Sequence, residues 1–234
     1  MDAAGLSAYG PLAYLVPGIV LFAVAFLLGS IPWGVVVSRL FYHTDIRQHG
    51  SGNIGTTNAL RTMGKAGGAA VFVLDFGKGV VSGLLALATL WFFVPGGGLA
   101  PGAAVGTYHD YLAVAFLGCV WGHIFSPWLK FKGGKGIAVA VGCLFTTFGW
   151  AGACLELLVF IVCVAATRYV SVGSLAAAVA CPFFALYFFW GDWLAWTCCL
   201  LAALTVIWAH RGNIARLRAG TENRIGSKKE KGRE

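Results

Sequence analysis

The sequence predicts an all-α integral membrane protein of seven transmembrane helices, and three observations lead there. Hydrophobic residues make up 59% of the 234 residues, mean hydropathy is +0.79 and only 11% of residues are charged, a balance unsuited to a water-soluble globule. Apolar runs of roughly 20 residues, the length that crosses about 30 Å of hydrocarbon, recur along the chain. Lys and Arg fall on alternate loops, as they do when short basic loops are retained on the cytoplasmic side.

The first run, residues 17–41, holds no charge until Arg39. The second, 69–94, is interrupted only by Asp75 and Lys78, and further runs cover 111–127, 137–150, 151–166, 170–190 and 193–209. The fourth run is short and the links around Trp150 and Gly191 are tight, so five or six spans is the competing count. Loop charge argues for seven. Arg47, Arg61 and Lys65 follow the first run, Lys130, Lys132 and Lys135 the third, Arg168 the fifth, and Arg211 through Arg233 the last. The opposite loops carry Asp2, Asp110 and Asp192 without a Lys or Arg, which places the N-terminus outside and the C-terminus in the cytoplasm. One transmembrane domain over residues 1–234, ending in a short basic tail at 224–234, is the expected organisation.

The net charge of +8 is concentrated on that inner face and suits anionic head groups; no nucleic-acid module is visible. Seven cysteines lie in apolar runs with no C-x-x-C and no histidine at metal-ligand spacing, so they read as small packing residues. No basic residue precedes the first run, which argues against a signal peptide. No metal site and no cofactor are expected.

Two polar, glycine-rich loops interrupt this apolar background. The first is Gly50-Ser-Gly-Asn-Ile-Gly-Thr-Thr-Asn-Ala-Leu-Arg61, the second Phe131-Lys-Gly-Gly-Lys-Gly136. Glycine lets backbone N–H groups converge on phosphate oxygens while Arg or Lys neutralises charge. Gly50-x-Gly52-x-x-Gly55 spells a dinucleotide-binding pattern, but that pattern has meaning only between a strand and a helix. The second loop lacks the upstream glycine and the Ser or Thr after Lys that define an ATP-binding loop. A plain turn would explain the glycines but would not require Ser51, Asn53, Asn58 and Arg61 together. Asn58 and Arg61 share a face of a short helix expected to start near Thr56 or Thr57.

Asp75 and Lys78, three apart inside a run, pair with each other or face an aqueous pocket. Glu156 reads as a packing or water-contacting carboxylate near the opposite face, and His123 as a hydrogen-bonded core histidine. Gly79-x-x-x-Gly83 and Gly118-x-x-x-Gly122 read as helix contacts. A third polar cluster follows the last run, His210-Arg-Gly-Asn213-Ile-Ala-Arg216 and then Gly220-Thr-Glu-Asn-Arg224, with His210 and Asn213 at i,i+3 spacing.

These stretches, with Gly29-Ser-Ile-Pro-Trp-Gly34, Asp75-Phe-Gly-Lys-Gly79, Gly122-His-Ile-Phe-Ser-Pro127 and Arg168-Tyr-Val-Ser171, resemble in order and spacing the bacterial acyl-phosphate-dependent glycerol-3-phosphate acyltransferases, the PlsY family. Gly212 departs from the Glu expected in many members. The resemblance implies seven helices in the bacterial inner membrane and a site on the cytoplasmic face; a monomer is the expected state. It implies transfer of a fatty acyl group from acyl phosphate to the 1-hydroxyl of glycerol 3-phosphate, giving lysophosphatidic acid and phosphate. It implies catalytic roles for Ser51, Arg61, Lys135, His210 and Asn213. Substrate contacts are implied for Gly52, Asn53, Gly55, Thr56 and Asn58, for Asp75 and Lys78, for Gly133, Gly134 and Gly136, and for Ser171.

The chemistry suits the residues, because acyl phosphate is already activated and the protein must chiefly align two mutually repelling anions. On this reading Ser51, the amides of the first loop, Arg61 and Lys135 hold the donor phosphate, while His210, Asn213 and Lys78 hold the acceptor. Ser51 as an acylated nucleophile and His210 as the base are alternatives to a route in which the donor phosphate itself takes the proton. None of the five histidines has Asp five residues on, which argues against a thioester donor. A transporter of organic phosphates is the competing class; it is expected to show related repeats and a site at mid-membrane.

Overall fold

The computed structural model describes residues 12–94 and 105–226. Among them the elements are helices α1 (Leu12–Ser30), α2 (Trp33–Tyr42), α3 (Thr56–Phe93), α4 (Val105–Ile124), α5 (Ile137–Thr147), α6 (Gly149–Thr167), α7 (Val170–Phe188), α8 (Trp193–Ala209) and α9 (Arg211–Arg218), with 3-10 turns at Ile46–Gln48 and Pro127–Leu129. Asp2 and residues 227–234 of the basic tail, used above in the charge argument, lie outside the described residues.

The most buried helix is α4, which packs against α1, α3, α5 and α8. Close approach is set by glycine. A Cβ at Gly29 or Gly122 would run into the facing carbonyl of Cys119 or Phe26 where α1 crosses α4. The same holds at Gly79 against Val139 and at Gly142 against Phe76 where α3 crosses α5, so the small-xxx-small pairs are contact devices, as expected. The cysteines are all unpaired. Large apolar side chains such as Leu12, Ile19, Phe183 and Leu158 are exposed, as are Trp150, Trp190 and Trp193 at or near helix ends.

Five stretches are long and apolar enough to cross a membrane, and α8 with α9, bent by 51°, makes a sixth. The fourth run of the sequence reading becomes α5, whose 11 residues reach only about 16 Å at 1.5 Å per residue. The cause is visible at its ends. Phe148, just past α5, stacks on Phe188 and Phe189 at the far end of α7. Measured against the 19 residues of α7, Gly136 therefore falls about 12 Å short of the other end, and the second glycine loop fills the gap.

Two breaks shape the site. At Ile31-Pro32 the chain leaves α1, because proline has no N–H, and the Ile31 carbonyl turns to accept from Lys78 Nζ at 2.9 Å. At Gly64, with φ 72° and ψ −169°, α3 divides into a short piece at 56–63 and a long one at 65–93.

Candidate active site

A cavity of about 460 Å³ opens where both glycine loops and the end of α8 converge. Of the residues proposed from sequence, Ser51, Asn53, Gly55, Thr56, Asn58 and Arg61 line it from the first loop and the start of α3. Lys135 and Gly136 line it from the second loop, Asp75 and Ser171 from α3 and α7, and His210 and Asn213 from the α8–α9 bend. Gly52, Lys78, Gly133 and Gly134 are not on its wall.

The first loop is tied together by one side chain. Asn58, 2% exposed, accepts from the Ser51 amide at 2.8 Å and donates Nδ2 to the carbonyls of Ile46, His49 and Asn53 at 3.1, 3.0 and 2.8 Å. Gly50 adopts φ 61°, and a Cβ there would meet Asn58 Oδ1. The Gly52 amide donates to the His49 carbonyl at 3.0 Å and the Gly55 amide to Asn53 Oδ1 at 2.9 Å. The expectation that these loop amides grip phosphate is therefore corrected: those of Ser51, Gly52 and Gly55 are spent within the loop. The N-terminus of α3 lies open instead. Gly55 gives it no side-chain cap, Thr56 and Thr57 stand on the cavity wall, and Thr56 Oγ1 is buried without a partner.

A similar correction applies to the second loop. Gly133 N–H donates to the Ile124 carbonyl at 3.0 Å and Gly134 N–H to the His123 carbonyl at 3.1 Å. A Cβ at Gly134 would press on the His123 ring. These glycines let the loop lie flat on the end of α4 and so aim Lys135 and the uncapped N-terminus of α5 at the cavity.

Lys78 also departs from its expected role. Its ammonium sits among Asp75 Oδ1 at 2.9 Å, His123 Nδ1 at 3.0 Å and the Ile31 carbonyl at 2.9 Å, and the residue is 3% exposed. Two hydrogen bonds and one buried ion pair to protein groups enclose it, and it is not on the cavity wall. Because an ammonium only donates, His123 carries its proton on Nε2.

Cations that remain turned to the cavity are Arg61, Lys135 and Arg216. Burial, with the charges of Arg216 and Arg61, pushes the Lys135 ammonium down to about 8, while Glu222 opposes the shift. Glu222 joins the wall by accepting from Ser171 Oγ at 3.1 Å, Asn213 Nδ2 at 2.7 Å and Arg216 Nε at 2.6 Å. Burial pushes its carboxyl up, but the Asn213 and Arg216 hydrogen bonds outweigh that and hold it below the usual range. His210 Nδ1 donates to the Val206 carbonyl at 2.8 Å, which leaves Nε2 as an acceptor when the ring is neutral. Asn213 Oδ1 is buried without a partner. Arg216, Glu222 and His123 were not selected from sequence; the signal for Glu222 was a lone carboxylate in a basic stretch.

Below these polar groups the wall turns apolar through Phe72, Ile137, Val141, Leu157, Phe160 and Ile161. Phe72 and Ile161 are 41% and 56% exposed, so the cavity opens sideways between helices. One end is lined by cations and the other by apolar side chains. No group of three His, Cys, Asp or Glu suited to a metal occurs among the described residues.

Over most of its length the chain is similar to proteins of one family. Residues 19–220 match the family described as "Glycerol-3-phosphate acyltransferase". A glycerol-3-phosphate acyltransferase of Rhodopseudomonas palustris (strain BisB5) is 42% identical over 206 residues, covering 87% of this chain and 94% of that protein. One from Bradyrhizobium diazoefficiens is 40% identical over 226 residues, covering 96% and 99%. The crystal structure of PlsY (YgiH), an integral membrane glycerol 3-phosphate acyltransferase in its glycerol 3-phosphate form, superposes with a TM-score of 0.75 at 33% identity, covering 89% of this chain and 96% of that one. Its lysophosphatidic acid form gives 0.72 at 32% identity, covering 89% and 95%. The chain belongs to the glycerol-3-phosphate acyltransferase family.

Proposed function

We propose that this member of the family transfers a fatty acyl group from acyl phosphate to the 1-hydroxyl of glycerol 3-phosphate, giving lysophosphatidic acid and inorganic phosphate. The observation that carries the reading is the single cavity in which three cations and two open helix N-termini adjoin an apolar, side-opening wall. Two anions repel each other, and only a site with surplus positive charge brings an acyl phosphate and a glycerol phosphate together.

Arg61, Lys135 and the N–H groups opening α3 and α5 hold the donor phosphate, with Ser51 beside it. Asn213, Ser171, Arg216 and His210 receive the acceptor. The hydroxyl oxygen bonds to the acyl carbon, the bond from that carbon to the phosphate oxygen breaks, and the departing phosphate takes the hydroxyl proton. An acyl-serine is not needed, and among the described residues no base is hydrogen-bonded to Ser51 Oγ, which supports direct transfer. The acyl chain follows the apolar wall, where each buried methylene contributes about 0.8 kcal/mol.

The same reading has seven crossings, with α5 as the short one, the N-terminus outside and this site on the cytoplasmic face of a bacterial inner membrane, in a monomer. Its support is the placement of Arg61, Lys135 and Arg216 around one cavity while Asp110 and Asp192 cap and pair at the start of α8. Purified protein should release phosphate from palmitoyl phosphate only when glycerol 3-phosphate is added. Release without an acylated product, or acceptance only of thioester donors, would defeat the assignment.

A further inference from the structure

A second, smaller cavity of about 40 Å³ continues from the first, sharing Ile137, Val141, Leu157 and Phe160 with it. The direction is the same on every helix. On α7 the lining passes from Ser171 to Cys181, about 15 Å at 1.5 Å per residue, and from His210 along α8 to Ala202, about 12 Å. At its inner end stands Glu156 of α6, 4% exposed, with Oε2 lacking any partner and the Cys181 thiol beside the carboxyl. No Lys or Arg lines this cavity, and Ala178 and Ala202 are the small residues that leave it room. The reaction leaves this carboxyl without a task, and an unpaired acid so deep among apolar walls is costly.

We propose that Glu156 is a specificity-determining residue that limits how long an acyl chain the enzyme accepts, by ending the apolar channel with a polar stop. The inference rests on the acyltransferase reading above. A donor chain lying along Leu157 and Phe160 gains contact with each methylene until its methyl end nears Glu156. Further methylenes meet a carboxyl that must be dehydrated and finds no new hydrogen bond, so added length lowers affinity instead of raising it.

The test compares kcat/KM for lauroyl, palmitoyl, stearoyl and arachidoyl phosphates at saturating glycerol 3-phosphate, using full-length protein. Glu156→Met and Glu156→Ala should raise the ratio of arachidoyl to palmitoyl use about tenfold, the size of a methylene-scale change in an apolar pocket. Glu156→Gln, which keeps a polar end, should leave the ratio as in the parent. Ala178→Leu, filling the cavity from the facing helix, should move the preference toward lauroyl phosphate, and the KM for glycerol 3-phosphate should stay constant throughout. Unchanged profiles in Glu156→Ala and Ala178→Leu, both turning over palmitoyl phosphate, would overturn the role of Glu156 alone. So would loss of turnover with every donor in Glu156→Ala beside a chain-length profile unmoved by Ala178→Leu. A parent enzyme inactive with every acyl phosphate would instead overturn the reaction and this inference together.

Discussion

Lys78 and Lys135 stand near one cavity and meet opposite fates. Lys78 is enclosed by Asp75, His123 and the Ile31 carbonyl, and its charge is consumed in joining α3, α4 and the break after α1. Lys135 has other cations for neighbours and only the partial opposition of Glu222. A buried cation with a complete shell fixes structure, whereas one held beside like charges is poised for an incoming anion. Each stands in a Gly-Lys-Gly setting, Gly77, Lys78, Gly79 and Gly134, Lys135, Gly136, and in the local sequence only Asp75, three residues before Lys78, separates the two.

The largest expected effect sharpens that contrast. Lys135→Met, and equally Arg61→Ala, should reduce kcat/KM by on the order of a thousandfold with thermal unfolding in detergent unchanged. Retained activity in either would remove that residue from the phosphate site. Lys78→Met should act the other way round, costing about 3–5 kcal/mol of stability by leaving Asp75 buried and unpaired. If it instead unfolds like the parent yet loses glycerol 3-phosphate affinity, the structural assignment fails. Gly134→Ala is intermediate: a Cβ against the His123 ring tilts the second loop, and a ten- to hundredfold fall in kcat/KM is expected from misplaced Lys135, with little change in unfolding.

The smallest effect is a pH limb. Lys135 must be an ammonium to bind phosphate, and it is held down to about 8, so kcat/KM for acyl phosphate should fall about tenfold per pH unit above that value. Glu222 is the opposing charge. Glu222→Gln lowers the Lys135 value further, and the limb should move to lower pH. A limb that stays in place would mean that another group titrates.

Much of this was legible in the sequence. Apolar runs gave the helices, and order and spacing of the polar stretches named the residues that the cavity gathers. What was hidden is where backbone polar groups go. Gly50 to Gly55 read as a phosphate cradle, and only the four hydrogen bonds of Asn58 reveal that the loop closes on itself. The partner of Lys78 across α4 is His123, 45 residues away, and no local pattern points to it. The fourth run read as 14 residues because apolar character continues past Thr147, while the helix stops there and the chain turns at Gly149, φ 67°.

The shortness of α5 has a consequence for traffic. By stopping part-way, it sets its own N-terminus and Lys135 about 12 Å inside the end that the 19 residues of α7 reach. On the reaction proposed above, a single-chain phospholipid formed there would have its tail already among the outward-turned apolar side chains Phe72 and Ile161, and its release would need neither its head dragged through oil nor its tail bared to water.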